Sequence, residues 1–272
     1  MVITPIKEGR HLKDEVSIRN LQTVTELEKV RELEALIWSL EDSVPVNQTV
    51  AAVKNGGFVL GAFLHEKLIG FQYSFPGFDG TKAYLCSHSL GIHPDYRAFG
   101  VGEKLKWAQK NTALLKGYEL ITWTYDPLET VNANLNLHKL GGISTTYLED
   151  VYGEMNDGLN TGIATDRFLV DWWLKTKGVK RDLNQNALQV IRTDQFNGNL
   201  IPAEIHLNLA HNTLFVSVPG NFQRIKAEDF SLAKQWREAT RKVFIHYFKE
   251  GYTATDLMKE KENHYYYVLQ KL

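Results

Sequence analysis

Apolar residues at the start of the chain recur in two patterns, one typical of a strand and one typical of a helix. Residues 16–22 predict a first strand. Thr25, followed by Glu28 three residues later, predicts a capping box at the start of a helix. Apolar residues then follow at steps of three and four, which predicts one buried helix face formed by Leu27, Val30, Leu33, Ile37 and Leu40.

Strand-like and helical segments continue through the middle of the chain. Segments 57–63 and 68–75 are joined by a short polar link, which predicts an antiparallel hairpin. The run 76–80 predicts a turn, and 83–92 a strand on which Cys86, His88 and Leu90 share one face. A helix is predicted at 101–116 with Gly117 ending it, and its inner face is formed by Val101, Leu105, Ala108 and Leu115.

The order of the later elements sets the fold class. Strands are predicted at 119–125, 143–152 and 166–174, with a short helix at 130–140. This order predicts a mixed α/β fold, with a central sheet that is neither all parallel nor all antiparallel.

The sequence pattern of the C-terminal third predicts a second folded region. A polar stretch at 175–186 is typical of a linker, and strands follow at 187–193, 202–208 and 213–218. A helix at 228–250 and a strand at 265–270 complete it. The sequence therefore predicts two domains, 1–175 and 176–272, the second being a smaller α+β extension.

Composition excludes several classes of protein. The sequence has 31 basic and 32 acidic residues, and this balance of charge argues against a nucleic-acid binder. The only cysteine, Cys86, permits no disulfide framework, and no apolar segment is long enough to span a bilayer or to form a signal peptide. These features predict a cytoplasmic protein that binds no membrane, and they leave a homodimer open.

A glycine loop between a strand and a helix carries the strongest chemical signal. Arg97-x-x-Gly100-x-Gly102 leads directly into the helix at 101–116. Two glycines let an anion approach the backbone, the N–H groups of the first helical turn can bind phosphate oxygens, and an arginine adds a charged donor. A turn that merely starts a helix is the alternative. The spacing fits neither a Walker loop nor a dinucleotide-binding fingerprint.

The passage Leu90-Gly91-Ile92-His93-Pro94-Asp95-Tyr96-Arg97-Ala98-Phe99-Gly100-Val101-Gly102 resembles the GNAT (GCN5-related N-acetyltransferase) superfamily. The resemblance covers roughly residues 16–174. It implies an acyl-CoA N-acyltransferase fold, with acetyl-CoA or another acyl-CoA as cosubstrate and the amine of a small molecule or peptide as acceptor. An acyl-CoA sensor without catalytic activity is the alternative function.

The same resemblance implies the residues that hold the cosubstrate. Backbone amides from Phe99 to Glu103 would hold the CoA pyrophosphate, and the main chain at Leu90 and Ile92 would contact the pantetheine arm. Asn132 or Asn134, on a second family segment at 130–142, would also reach the cofactor. The implied cofactor-binding set is Leu90, Ile92, Arg97, Ala98, Phe99, Gly100, Val101, Gly102, Glu103, Asn132 and Asn134. Leu137 occupies the position at which many relatives carry a tyrosine that acts as general acid and protonates the leaving thiolate.

Candidates for the chemistry lie on the strands that flank the loop. His88 precedes the loop, and its near-neutral pKa suits a general base, although a structural hydrogen bond is the alternative. Tyr125 and Asp126 end the next strand, where Asp126 could instead form a turn before Pro127. Arg237 and Arg241, one helical turn apart, either grip an acidic substrate or form a solvated stripe. Cys86 is interpreted as a core residue, and no residue spacing predicts a metal site.

Overall fold

The computed structural model describes residues 15–97, 99–155, 160–176 and 188–272. Helices and mostly antiparallel strands alternate along these residues, which confirms the predicted mixed α+β class. Contacts between residues divide the chain into two compact units, 1–123 and 124–272. The boundary between these units lies about fifty residues before the predicted domain boundary near residue 175. The predicted domain boundary stays a prediction.

Unit 1 contains a five-stranded sheet in the order β1-β2-β3-β4-β5, antiparallel except for the last pair. Its elements are β1 (Val16–Leu21), α1 (Val24–Ile37), α2 (Val46–Lys54), β2 (Phe58–Leu64), β3 (Lys67–Phe78), β4 (Ala83–Ile92), α3 (Val101–Leu115) and the first residues of β5 (Leu120–Tyr125). The predicted hairpin at 57–75 is confirmed. β3 continues through the predicted turn at 76–80 as far as Phe78.

Helix α1 begins two residues earlier than predicted. The capping box joins Thr23 and Glu26 rather than Thr25 and Glu28, because the Thr23 hydroxyl accepts from the Glu26 N–H while the Glu26 carboxylate accepts from the Thr23 N–H. Leu27, Val30 and Leu33 are buried as predicted, whereas Leu40 lies beyond the helix and is exposed. Helix α2 was not predicted.

Helix α3 has the predicted bounds but buries a different face. Leu115 is 89% exposed, while Lys106 and Gln109 are buried beside Val101 and Leu105. Polar residues can face the sheet here because Lys106 Nζ donates to the Ser87 hydroxyl and Gln109 Nε2 donates to the Ser74 hydroxyl. Gly117, at a φ of 88°, follows the helix in the left-handed conformation that favours glycine.

Unit 2 contains a sheet in the order β7-β6-β12-β13-β11-β8 and a separate β9–β10 pair. Its elements are α4 (Thr130–Ala133), a π-helical turn (Asn134–Lys139), β6 (Ile143–Leu148), β7 (Arg167–Trp173), β8 (Leu188–Gln189), β9 (Ile191–Phe196), β10 (Asn199–Ile205), β11 (Thr213–Pro219), α5 (Phe222–Glu228), α6 (Phe230–Lys249), β12 (Tyr252–Lys261) and β13 (His264–Lys271). Apart from 175–176, the predicted linker at 175–186 lies outside the described residues.

Aromatic side chains form the centre of unit 2. Phe168 on β7 is fully buried, and its ring lies 4.6 Å from that of Phe244 and 5.4 Å from that of Tyr267, measured between centroids. Phe248 and Tyr147 pack against the same ring. Residues on both sides of the predicted linker therefore share one core within this unit.

Among the described residues, no helix combines the length and the apolar character needed to cross a membrane.

Candidate functional site

Strands β4 and β5 part shortly after they begin to pair. Among the described residues, the parallel pairing consists of Leu85 opposite Ile121 and Cys86 opposite Thr122. Beyond Cys86, the β4 residues up to Ile92, except for His88, keep their partners on β3 but have no described partner on β5. One edge of β4 therefore offers main-chain N–H and C=O groups to a ligand, as an unpaired strand edge does.

A β-bulge lies at the start of this opening. Tyr73 pairs with Ser89 and Ser74 pairs with Ser87, so His88 is the extra residue on β4. A bulge reverses the alternation of side chains, and here it places His88 and Ser89 on the face that packs against α1. Ser87 and Leu90 lie on the α3 face. The prediction that Cys86, His88 and Leu90 share one face is therefore wrong for Leu90, because the bulge lies between them.

His88 lies among aromatic rings on the α1 face. Its imidazole centroid is 5.5 Å from the Tyr73 ring and 5.6 Å from the Phe75 ring, and part of its side chain remains exposed. Desolvation by this surrounding lowers the pKa of His88. The imidazole is therefore neutral at physiological pH, which is the form that accepts a proton.

Glu34 on α1 reaches the same bulge. Its carboxylate is 2% exposed and accepts hydrogen bonds from the Val44 N–H at 3.0 Å and from the Ser89 hydroxyl at 3.1 Å. Burial raises the pKa of Glu34. Glu34 is absent from the predicted site, although its position carries a signal: it continues the apolar stripe of α1, four residues after Val30, yet bears a charge.

Lys106 and Ser87 form a polar contact on the α3 face. Lys106 Nζ donates to Ser87 Oγ at 2.8 Å and lies 3.5 Å from the centroid of the Trp123 ring. The lysine is 4% exposed, and its burial lowers its pKa well below the usual value. Lys106 is also absent from the predicted site, because its partners are distant along the chain.

The loop after β4 turns the chain into α3. Pro94–Tyr96 form a 3-10 turn, and Arg97 Nε donates to the Ile92 carbonyl at 3.4 Å. The guanidinium is exposed at the end of the opening, where it can meet an anion. Ala98 of the predicted set lies outside the described residues.

The N-terminus of α3 fits a phosphate. Gly100 has a φ of 74°, a left-handed conformation that side chains rarely adopt, and no described side chain caps the helix. Among the described residues, the atom that a Cβ at Gly102 would meet outside the adjacent helix backbone is Leu90 Cδ2, at 3.5 Å, which leaves room for a ligand beside the first turn. The first N–H groups of a helix have no partner within it, and they attract negative charge. The predicted residues therefore suit a CoA pyrophosphate.

Tyr125 and Asp126, in unit 2, have structural partners. The Tyr125 hydroxyl is 3.2 Å from that of Tyr267, and burial raises the pKa of Tyr125. The Asp126 carboxylate forms a bidentate ion pair with Arg237 and accepts from the Leu128 N–H at 2.8 Å. This geometry favours the turn alternative for Asp126 over a catalytic role.

Arg237 and Arg241 on α6 pair with carboxylates of unit 2, and of the two only Arg237 is buried. Arg237 is 3% exposed and pairs with Asp126, and Arg241 donates two hydrogen bonds to Asp166 at 2.6 and 2.8 Å. The predicted solvated stripe is therefore wrong for Arg237, and a grip on an acidic substrate stays a prediction for Arg241, whose side chain is 30% exposed.

The second family segment also lies in unit 2. Asn132 is exposed at the end of α4, Asn134 begins the π-helical turn, and Leu137 is fully buried. Within the described ranges, no group of three or more His, Cys, Asp or Glu side chains is arranged to hold a metal ion.

Comparison with known proteins returned structures only: no family model and no curated protein matches the chain. The protein yncA of Salmonella typhimurium, solved with its cofactor acetyl-CoA, is 19% identical, with 62% of this chain and 98% of that chain covered and a TM-score of 0.48. The ribosomal-protein-S18-alanine N-acetyltransferase of Escherichia coli is 13% identical, with 62% and 99% covered and a TM-score of 0.48. A GNAT family acetyltransferase of Elizabethkingia anophelis with acetyl-CoA bound is 19% identical, with 59% and 99% covered and a TM-score of 0.45. The solved structures to which this chain is similar thus include GNAT family acetyltransferases, the superfamily that residues 90–102 resemble.

Proposed function

We propose that this chain is an acyl-CoA-dependent N-acyltransferase that transfers an acetyl group from acetyl-CoA to the amine of a small molecule or peptide. The observation that carries this proposal is the continuity of one edge of unit 1. The uncapped N-terminus of α3, the unpaired edge of β4 and the bulge at His88 follow one another along the chain. They suit the pyrophosphate, the pantetheine arm and the reacting thioester, in that order.

Main-chain and side-chain groups of β4 and α1 support direct transfer of the acetyl group from acetyl-CoA to the amine. Bound acetyl-CoA supplies an activated acyl thioester. The main chain beyond Cys86 orients the extended arm, and holding donor and acceptor together is worth up to about 7–11 kcal/mol of barrier. His88 accepts the proton that the acceptor amine loses, directly or through one water, since its imidazole is neutral and partly exposed. Glu34 and Ser89 hold the bulge in place through their hydrogen bond.

The roles of the remaining predicted residues belong to the same proposal. Arg97 and the first-turn amides of α3 bind phosphate oxygens, and Asn132 or Asn134 adds a polar contact to the cosubstrate. The single cysteine supports a cytoplasmic location, which stays a prediction, as does a homodimer.

An acyl-CoA sensor without catalysis is the second candidate function. Leu137 is buried and occupies the position at which the resemblance implies a tyrosine that acts as general acid, and this favours the sensor. A leucine cannot protonate a leaving thiolate, so a catalytic chain needs another proton source.

Release of free thiol from acetyl-CoA in the presence of a panel of primary amines separates the two functions. Amine-dependent thiol release, with the acetylated amine seen by mass spectrometry, supports the transferase. Tight CoA binding with no transfer to any amine supports the sensor. Failure to bind CoA at all contradicts both.

A further inference from the structure

Lys106 occupies the point at which the two strands part. Cys86 and Thr122 are the last paired residues of β4 and β5, and Ser87 and Trp123 directly follow them. Lys106 Nζ contacts both of these next residues, at 2.8 Å from Ser87 Oγ and 3.5 Å from the Trp123 ring centroid. The amine of a helix residue therefore lies at the apex of the opening on the α3 face.

No carboxylate among the described residues neutralises this amine. Its polar partner is the Ser87 hydroxyl, which Gln72 Nε2 approaches from another side at 3.4 Å. An unpaired buried ammonium is costly, so burial makes the Lys106 ammonium a stronger acid than the ammonium of an exposed lysine. A cation that gives up its proton more readily suits a site where negative charge develops during a reaction and takes up a proton.

The apex is also where the acyl end of the cosubstrate belongs. From Ile92, beside the phosphate-binding end, to Ser87 is five residues of strand, about 17 Å. An extended pantetheine arm that begins at the N-terminus of α3 and follows β4 therefore brings its sulfur near Ser87. His88 lies on the opposite face of β4, so a proton acceptor and a second titratable group flank the same point.

Resting on the proposed function, we propose that Lys106, through the Ser87 hydroxyl, is the proton source for the departing CoA thiolate. The C–N bond to the acceptor forms as the C–S bond breaks, and the amine's proton passes to His88. The sulfur takes the Ser87 hydroxyl proton, and Ser87 regains one from the Lys106 ammonium. Solvent then removes the proton from His88 and restores that of Lys106, so the proton lost by nitrogen equals the one gained by sulfur.

The ultraviolet absorbance of the thiolate in bound CoA tests this proposal without turnover. CoA is titrated with pH on the full-length wild type, on Lys106→Met and on Lys116→Met, a control at the exposed end of the same helix. On the wild type and the control, the bound thiol should ionise at a pH lower by about one unit or more than on Lys106→Met, a tenfold change in the ionised fraction. Identical titrations of wild type and Lys106→Met overturn the proposal while leaving the transferase in place.

Two further measurements sharpen the test. With acetyl-CoA and an accepted amine, Lys106→Met should lower kcat by about 10²-fold or more and leave the KM for acetyl-CoA nearly unchanged. Ser87→Ala keeps the lysine but removes the link, so it should also lower kcat, and it carries the test if Lys106→Met fails to fold. Unchanged kcat in both variants contradicts the proposal, and absence of CoA binding to the wild type overturns it together with the proposed function.

Discussion

His88 owes its properties to two neighbours that lie outside its own strand. The rings of Tyr73 and Phe75 on β3 desolvate the imidazole and disfavour its charged form. The bulge turns the side chain to this face and leaves part of it exposed, so the neutral form is both present and accessible. Position, exposure and charge state together make it the base in the proposed transfer.

Replacing His88 by Gln should lower kcat by about 10²–10⁴-fold, because the amine loses its proton acceptor. In the wild type, kcat/KM should rise with pH through the His88 pKa, which lies below the usual value of about 6.5, and then level off. Steady-state kinetics from pH 5 to 8 measure this, with His65→Asn in the exposed β2–β3 turn as control. A profile that the substitution leaves unaltered in shape and height contradicts the role of His88.

The ion pair of Asp126 and Arg237 gives a stability prediction at the same scale. The side chain of Arg237 is 3% exposed and that of Asp126 is 11% exposed, and without Arg237 the charge partner left to Asp126 is Arg167, 3.8 Å away. Arg237→Met should therefore lower the free energy of unfolding by about 3 kcal/mol, the lower end of the cost of breaking a buried pair. Arg192→Met, which breaks an exposed pair with Glu204, should change it by no more than about 0.5 kcal/mol. Denaturant titration compares the two, and equal effects would show that Arg237 contributes no more than a surface pair.

At the scale of single elements, β4 and α3 show which features a sequence reveals. Their bounds were predicted nearly to the residue, because alternation, helical spacing and turn glycines are local signals. The bulge was not predicted, since it exists only in the register between β3 and β4. Lys106 was missed for a similar reason, as Ser87 lies nineteen residues away. Strand β12 was missed because it ends in a charged run and is defined by its pairing with β13.

The two glycines at the start of α3 should respond differently to alanine. Gly100 has a φ of 74°, so Gly100→Ala should cost about 1–2 kcal/mol of stability. Gly102 lies within the helix, and its Cβ would meet Leu90 at an ordinary contact distance, so Gly102→Ala should be neutral or slightly stabilising. Thermal unfolding of the two variants decides. Equal destabilisation would mean that the left-handed conformation at Gly100 is not what requires glycine.

At the scale of the whole molecule, the predicted domain boundary near residue 175 still awaits a test. The aromatic core of unit 2 joins Phe168 to Phe244, Phe248 and Tyr267, so residues before the predicted boundary pack against residues after it. The sequence could not reveal this packing, because the apolar pattern of a helix or strand does not indicate which other element it contacts. The mixed α+β class, in contrast, follows from the order of elements alone and was predicted.

A truncation that ends at Leu174 tests the predicted boundary. It removes three of the rings that pack against Phe168, those of Phe244, Phe248 and Tyr267, and Phe168 has no exposed surface in the full chain. We expect the truncated chain to bind a dye for exposed apolar surface and to lose near-ultraviolet circular dichroism from its aromatic core. A soluble truncated chain with wild-type spectra would instead support a domain boundary near residue 175.

Calorimetric titration with acetyl-CoA tests the binding site most directly. The wild type should bind with one saturable site, whereas Gly102→Glu should lose binding, because its carboxylate lies where the pyrophosphate would approach the helix. The same carboxylate favours the N-terminus of a helix, so the variant should remain as stable as the wild type. Gly102→Ala adds only a Cβ and no charge, so it should weaken binding less than Gly102→Glu. No binding by the wild type, or equal binding by Gly102→Glu, would contradict the assignment of this loop to CoA.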